Sequence, residues 1–405
     1  ELGIRSPAWG MAASLEEAVA IARRIGFPVL VRPSYVLGGR GMRIVYDESE
    51  FVGYVDRALE AMPGAPLLVD RFLEDAFEFD VDALADGDSV YIAGIMQHIE
   101  EAGVHSGDSE CLLPPFVLPG ELRLALASTT RRIAEALQVR GLLNMQFAVL
   151  DGTLYVLEAN PRASRTVPFV SKTIGVPLAR MATDVALGAR LADLDLPPEG
   201  ALQGFAVKKP VFPFRKFPDA NVYLGPEMRS TGEVMGWAPE LGQATLKAWI
   251  AADERLPVRG TAYISLNERD KRRAPEIGRA FRELGFDLLA TSGTAAVLEQ
   301  AGIPARTVFK VREGKPDIRD EIQAGRVDLI VNTPLGKTSR FDENAVGRTA
   351  VAHGIPMVTT LSGALALARA IRALREESVH VRSLQDRLQS WGRFPVRDRV
   401  EESKA

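Results

Sequence analysis

Residues 142–150 and 153–159 are two apolar runs separated only by Asp151-Gly152. That dipeptide between β-type runs turns the chain straight back as an antiparallel hairpin. Asp86-Gly87-Asp88 does the same between residues 77–84 and 89–96, and residues 28–31, 42–46 and 66–72 also read as strands. The first half is therefore expected to carry largely antiparallel sheets. Ser14-Leu15-Glu16-Glu17 opens a helix that Gly26 closes, Asp47 caps another to about Met62, and residues 119–138 read as one long helix. After Arg259 the pattern changes. Strand runs at 262–266, 286–290, 307–311, 329–331 and 357–360 alternate with helical stretches, which implies a doubly wound parallel sheet. Between them the pattern weakens and proline recurs at 197, 198, 210, 213, 218 and 226, as in an irregular joining segment. The expected fold is thus α/β and α+β multidomain, divided at 1–190, 191–253 and 254–405. From Ser378, with Arg382, Arg387, Arg393, Arg397 and Arg399, the reading is a final helix and a solvated end.

The 405 residues suffice for two or three domains with their own cores. With 49 Lys+Arg against 53 Asp+Glu the net charge is −4, which argues against a nucleic-acid footprint. Cys111 is the only cysteine, so a disulfide framework is excluded and a reducing, cytoplasmic setting is expected. No run reaches the roughly 18 apolar residues of a membrane span, and no signal-peptide pattern opens the chain. The first residue is Glu1 rather than Met, so further upstream sequence is expected.

The densest chemistry lies in Gln146 and in Glu158-Ala159-Asn160-Pro161-Arg162-Ala163-Ser164-Arg165. Glu158 and Asn160, two apart on a strand, share one face, and hard oxygens on one face suit Mg²⁺ or Mn²⁺. A three-residue turn would set Gln146 opposite Glu158, whereas a two-residue turn would pair it with Leu157. Arg162 and Arg165 follow closely, and two guanidiniums can stabilise charge on a transferring phosphoryl group. The plain alternative is a polar surface hairpin. Ser34-Tyr35-Val36-Leu37-Gly38-Gly39-Arg40-Gly41 between two strands can fold over phosphates, with Arg32 as a clamp. It is neither a Walker A loop nor a Rossmann fingerprint. In residues 98–109, His98 and His105 lack a third ligand at zinc spacing, and Ser106 and Ser109 lack a nucleophile elbow. Thr291-Ser292-Gly293-Thr294 at a strand-to-helix turn offers an anion site or simply an N-cap. Lys310, Asn332 and Thr333 lie near strand ends, where open α/β sheets take ligands.

Together, residues 31–40, Glu101-Ala102-Gly103-Val104-His105-Ser106-Gly107-Asp108-Ser109, Glu158-Ala159-Asn160-Pro161-Arg162 and residues 225–236 (GPEMRSTGEVMG) resemble the carbamoyl phosphate synthetase large subunit, in its C-terminal half. The resemblance implies an ATP-grasp module at 1–190, a segment at 191–253 packed on it, and a methylglyoxal-synthase-like allosteric domain at 254–405. It implies phosphorylation of carbamate by ATP, the second half-reaction of carbamoyl phosphate synthesis for pyrimidines and arginine, with no covalent enzyme intermediate. Gln146, Glu158 and Asn160 match the ligands of two Mg²⁺ or Mn²⁺ ions, and K⁺ is a further candidate. Arg32, Arg71, Leu73, Glu78, Gly103, Val104, His105 and Ser106 match nucleotide contacts, with Glu78 on the ribose, and Gln146 and Glu158 join them through the metal. Arg162 and Arg165 match the catalytic arginines.

Lys271, Thr291, Thr294, Lys310, Asn332 and Thr333 match the family's effector site for a nucleotide, and an ornithine-type effector is also implied. Pro334 stands where a further threonine is expected, which removes a hydroxyl and an N–H. The implied partners are a glutamine-hydrolysing small subunit and the homologous N-terminal half, with no nucleic acid and no membrane. The alternatives are another ATP-grasp ligase or carboxylase, or a non-catalytic nucleotide-sensing module.

Overall fold

The computed structural model describes residues 2–34, 38–217, 221–376 and 378–390. Tyr35, Val36 and Leu37 of the glycine loop, Pro218, and Arg393, Arg397 and Arg399 of the tail lie outside them.

The first unit holds β1 (Trp9–Ala12), α1 (Leu15–Ile25), β2 (Val29–Pro33), β3 (Arg43–Val45), α2 (Glu48–Ala61) and β4 (Leu67–Arg71). Its strands form a small antiparallel sheet in the order β1-β4-β2-β3. The Ser14 hydroxyl accepts from Glu17 N–H at 3.2 Å, while the Glu17 carboxylate takes the N–H of Ala13 rather than of Ser14. Asp47 accepts from Glu50 N–H at 2.9 Å. Ala18, Ala22, Phe51 and Val55 of the two helices pack on Val29, Val31, Val45, Leu67 and Val69 in one core.

The second unit comprises β5 (Phe77–Asp86), β6 (Val90–Glu101), β7 (Cys111–Leu113), α3 (Gly120–Ala136), β8 (Arg140–Leu150), β9 (Thr153–Asn160), α4 (Val167–Ile174), α5 (Leu178–Ala186), β10 (Phe205–Val211), β11 (Gly232–Ala238) and α6 (Leu241–Ala251). The large antiparallel sheet runs β11-β10-β7-β6-β5-β8-β9. Phe79, Val81, Ala83, Leu143, Met145 and Phe147 pack on Leu126, Ile133 and Ala134 of α3. Strict alternation therefore turns the intervening residues of β5 and β8 to the opposite face.

The segment 191–253 is not irregular throughout. β10 and β11 pair from Phe205↔Ala238 to Val211↔Gly232 and extend the large sheet. Two features hid them. Pro210 breaks the strand signal but lies beyond the stretch paired with β7, Ala206 to Lys208, where that ladder does not need its missing N–H. Lys208 and Lys209 interrupt the apolar pattern, yet both are buried.

The third unit contains β12 (Gly260–Leu266), α7 (Ala274–Glu283), β13 (Phe286–Thr291), α8 (Ser292–Gln300), β14 (Arg306–Val308), α9 (Ile318–Gln323), β15 (Leu329–Thr333), α10 (Gly336–His353), β16 (Met357–Val358), α11 (Leu361–Glu376) and α12 (Leu384–Ser390). Its strands are all parallel, in the order β14-β13-β12-β15-β16. One face packs on α7, α8 and α11 and the other on α9 and α10, which is the doubly wound arrangement expected. The final helix expected from Ser378 onward is present as α12, and one of its faces is buried. Arg387 on α12 is buried, lies over the Trp237 ring and donates to the carbonyls of Lys172 and Thr173, the latter at 2.5 Å.

The parallel unit touches the small sheet close to β4. Glu74 accepts from Tyr46 O–H at 2.9 Å and from Gly336 N–H at 3.0 Å. Lys337 pairs with Asp47 at 2.7 Å and Arg269 with Asp75 at 3.1 Å. Among the described residues no helix is long and apolar enough to cross a membrane.

Candidate active site

Three cross-strand rows build the polar face of the large sheet. Asp151 and Gly152 both have positive φ, 49° and 75°, the two-residue turn that an Asp-Gly pair favours. The ladder accordingly starts at Leu150↔Thr153. Continued without a break, it would set Gln146 against Leu157. A β-bulge between Gln146 and Phe147 absorbs one residue, so that Gln146 stands opposite Glu158 and Asn144 opposite Asn160. On the other side of β8, Asp80 faces Gln146, Asp82 faces Asn144 and Glu78 faces Ala148. The rows are thus Asp80-Gln146-Glu158 and Asp82-Asn144-Asn160, with Glu78 at the head of a third.

Gln146 donates to the Ser106 hydroxyl at 3.2 Å. Lys208 donates to the Ser106 carbonyl at 2.9 Å. His105 Nδ1 accepts from Gly107 N–H at 3.0 Å, and burial lowers its pKa while Asp108 and Glu158 partly oppose that. The ring is therefore neutral at physiological pH. Gly107 lies among His105, Arg165 and Met228, so that a Cβ there would be 3.1 Å from His105 Nδ1 and 3.3 Å from Arg165 Nη1. Buried Asp108 accepts from Arg229 N–H at 2.7 Å and Ser230 N–H at 2.9 Å, and Met228 N–H donates to the Gly38 carbonyl at 3.1 Å. The glycine loop, the 101–109 loop and the 225–230 run, far apart in sequence, converge here.

Glu78 is buried beside Asp80 and His98, with His98 Nδ1 3.7 Å from Glu78 and Nε2 3.6 Å from Asp80. One donor atom from each lies within 4.8 Å of the others. Burial raises Glu78 to about 7, the Asp80 carboxylate adds to this, and His98 and Arg32 oppose it. Gly103 N–H approaches Glu78 at 3.4 Å. This grouping could hold a cation and was missed from sequence, although Glu78 and Asp80, two apart on a strand, were its signal.

Arg32 on β2 pairs with Asp70 at 2.6 Å. Arg71 donates to the Phe27 carbonyl at 3.0 Å, so it fixes the α1–β2 turn rather than projecting freely. Leu73 packs with Ala76, Ala102 and Ala148. Val104 sits between Gly103 and His105 on the same loop. Arg162 is exposed and donates to Asn160 Oδ1 at 3.2 Å and to the Ala163 carbonyl at 3.0 Å. Arg165 is exposed beside the Met228 sulfur. Lys208 and Asp82 escaped the sequence reading, although Asp82 continues the alternation of Glu78 and Asp80 along β5.

In the parallel unit, Thr291 is the N-cap residue of α8 but makes no capping bond. Its hydroxyl approaches those of Ser265 and Thr294 at 3.5 and 3.4 Å, and Thr294 accepts from Leu266 N–H at 3.1 Å. Thr333 accepts from Asn267 N–H at 3.1 Å, and Asn332 stands beside Ser265. Lys271 pairs with Glu268 and reaches over Gly293. Lys310 lies just beyond β14, its field lowering the pKa of Glu268 after that of Lys271. The residues named from sequence gather at the carboxyl ends of the strands, with Ser265 and Asn267 as additions. Pro334 is buried just past β15.

Residues 4–194 match the carbamoyl-phosphate synthase L chain, ATP binding domain, and residues 273–359 match the MGS-like domain. The carbamoyl phosphate synthase large chain, C-terminal section, of Aquifex aeolicus is 46% identical over 95% of this chain and 76% of its own length. The chain belongs to the carbamoyl phosphate synthase large chain family. The large chain of Archaeoglobus fulgidus is 53% identical over 95% of this chain and 36% of its own. The chain thus spans about a third of the length of such full-length relatives. Its antiparallel part shares the fold of the biotin carboxylase domain of Hydrogenobacter thermophilus 2-oxoglutarate carboxylase, solved with MgADP, ADP and bicarbonate. That match has a TM-score of 0.51 and 22% identity over 62% of both chains. ATP-grasp antiparallel sheets followed by a parallel-sheet domain are therefore the fold of this member of the carbamoyl phosphate synthase family.

Proposed function

We propose that this chain phosphorylates carbamate with ATP, giving carbamoyl phosphate and ADP, as one half of a larger synthase. The observation that carries the reading is the register of the bulged hairpin, which sets Gln146 and Glu158 opposite each other with Asn160 one row away. One carboxylate and two amide oxygens on one face suit a hard divalent cation. Beside them the buried Asp80 Oδ1 has no hydrogen-bond partner, as expected of an oxygen facing a cation. Gln146, Glu158 and Asn160 would hold Mg²⁺ or Mn²⁺, which supplies charge neutralisation of the nucleotide phosphates.

The chain's own groups do the rest. Arg32, Gly103, Val104, His105 and Ser106 border the nucleotide, with Glu78 toward the ribose and Leu73 against the base. Arg71 supports this wall from behind. Arg162 and Arg165 bear on the transferring group and offset its charge. Neutral His105 donates from Nε2. Residues 1–190 are the ATP-grasp part, 191–253 complete its sheet, and 254–405 form the allosteric part. There Lys271, Thr291, Thr294, Lys310, Asn332 and Thr333 take a nucleotide effector. Proposed partners are the N-terminal half and a glutamine-hydrolysing subunit, and the proposed setting is the cytoplasm.

The test is the reverse partial reaction, ATP formation from ADP and carbamoyl phosphate by this chain with Mg²⁺ or Mn²⁺. ATP formation is expected. A folded chain that binds ADP yet makes no ATP, even after the N-terminal half is added, overturns the assignment.

A further inference from the structure

Asp82 is wholly buried on β5, and a buried carboxyl is tolerated only when its oxygens are taken. Here three side chains from two stretches take them, one on β8 and two in the turn before α4. Asn144 on β8 donates to Oδ1 at 2.9 Å and the Ser164 hydroxyl to the same oxygen at 3.0 Å. The Thr166 hydroxyl donates to Oδ2 at 2.6 Å. Thr166 is the N-cap residue of α4, yet its side chain makes no capping bond. Its hydroxyl proton goes to Asp82, and its oxygen lies 2.7 Å from the Ser164 hydroxyl.

Ser164 and Thr166 flank Arg165, so fixing both neighbours fixes the backbone from which Arg165 projects. Asn144, the third partner, stands opposite Asn160, and Asn160 Oδ1 holds Arg162 at 3.2 Å. Both arginines are thus referred to one carboxyl, although neither touches it. Arg165 itself is exposed, so its placement depends on its backbone. An apolar residue would fill this position without the desolvation cost but could not bind a turn that presents hydroxyls.

We propose that Asp82 is a positioning residue that pins the 161–166 turn, and with it Arg162 and Arg165, to the row beside the Gln146–Glu158 pair. Its catalytic consequence rests on the phosphoryl-transfer reading above, but the pinning itself does not. Phosphoryl transfer depends on placement, and a misplacement of about 1 Å costs on the order of a hundredfold in rate.

Kinetics, ADP titration and hydrogen exchange on the full chain test it, with Asp82→Asn preserving shape and removing one acceptor. In the reverse reaction its kcat falls roughly 10- to 100-fold while ADP binding with Mn²⁺, measured by titration, is unchanged. In an Arg162→Ala/Arg165→Ala background the same substitution causes no further loss, whereas a merely structural role would lower the rate again. Independently of activity, hydrogen exchange of amides 162–167 accelerates about tenfold in Asp82→Asn, with β8 amides unchanged. If Asp82→Asn does not fold, Ser164→Ala/Thr166→Val removes the two hydroxyl donors and carries the same expectations. Unchanged exchange in the turn overturns the pinning. Altered exchange in a parent chain that makes no ATP upholds the pinning and overturns only the reaction assignment. Altered exchange with full kcat overturns the catalytic consequence.

Discussion

A methyl group on Gly39 would lie 1.9 Å from the Pro226 carbonyl oxygen, and φ at Gly39 is +67°. Both facts exclude a side chain, so Gly39→Ala must pull the loop off the 225–228 run or strain it by about 1–2 kcal/mol. We expect roughly tenfold weaker ADP binding by calorimetry, and unchanged binding would separate the loop from the nucleotide. Glu158→Ala should cut ATP formation at least about 100-fold while the parallel unit stays folded by circular dichroism, and near-normal turnover contradicts the metal assignment. These glycines and acids were legible in the sequence because local turn chemistry and strand periodicity announce them. Asp82 was not, since its importance comes from Asn144, Ser164 and Thr166, which only the fold brings together. The pairing of Gly39 with Pro226 was hidden for the same reason.

At the level of elements, hairpins and the alternating β/α pattern were readable, and the β5–β6 and β8–β9 pairings and the parallel sheet follow them. The register of the β8–β9 hairpin was not, because the bulge lies at a leucine, without the glycine or proline that marks many irregularities. β10 and β11 were obscured by Pro210 and by two lysines whose burial depends on distant partners. Lys209 lies 3.8 Å from the Trp249 ring centroid and 3.5 Å from both Glu110 and Glu254. The α12 anchor is equally nonlocal. Arg387→Ala leaves the Lys172 and Thr173 carbonyls at the end of α4 without their donor. Hydrogen bonds of this charged kind contribute about 1.5–3 kcal/mol, so the urea midpoint of the antiparallel part should fall measurably. An unchanged midpoint would show that the Arg387 bonds contribute nothing to it.

For the whole molecule, the two halves should respond oppositely to acid. Burial raises Glu78 to about 7, helped by Asp80, and Asp82 to about 6; burial and then Glu110 raise Glu100 to about 7. Unfolded carboxyls titrate near 4. The folded antiparallel part therefore holds more protons between about pH 4 and 7, and its stability is full below that window and declines as pH rises through it. In the parallel unit, Arg319 and Lys315 overcome burial to hold Asp317 at about 2, while Arg326 and Arg306 hold Glu321 at about 2. That contribution is present above the unfolded value and is lost as pH falls toward 2. Lowering the pH from 8 to about 5.5 should raise the melting temperature of the antiparallel part, and acid below about pH 4 should melt the parallel unit first. Calorimetric scans across that range check both signs.

Glu74 gives the assembly a further property. Its carboxylate takes the Tyr46 hydroxyl from the small sheet and the Gly336 amide from the start of α10, three residues after Thr333. Moving the small sheet away from the parallel unit has to break one of these bonds and the Lys337–Asp47 pair beside them. Whatever holds the start of α10 against Glu74 therefore also holds Tyr46 and the corner between β3 and α2, so the small sheet and the parallel unit share one anchor.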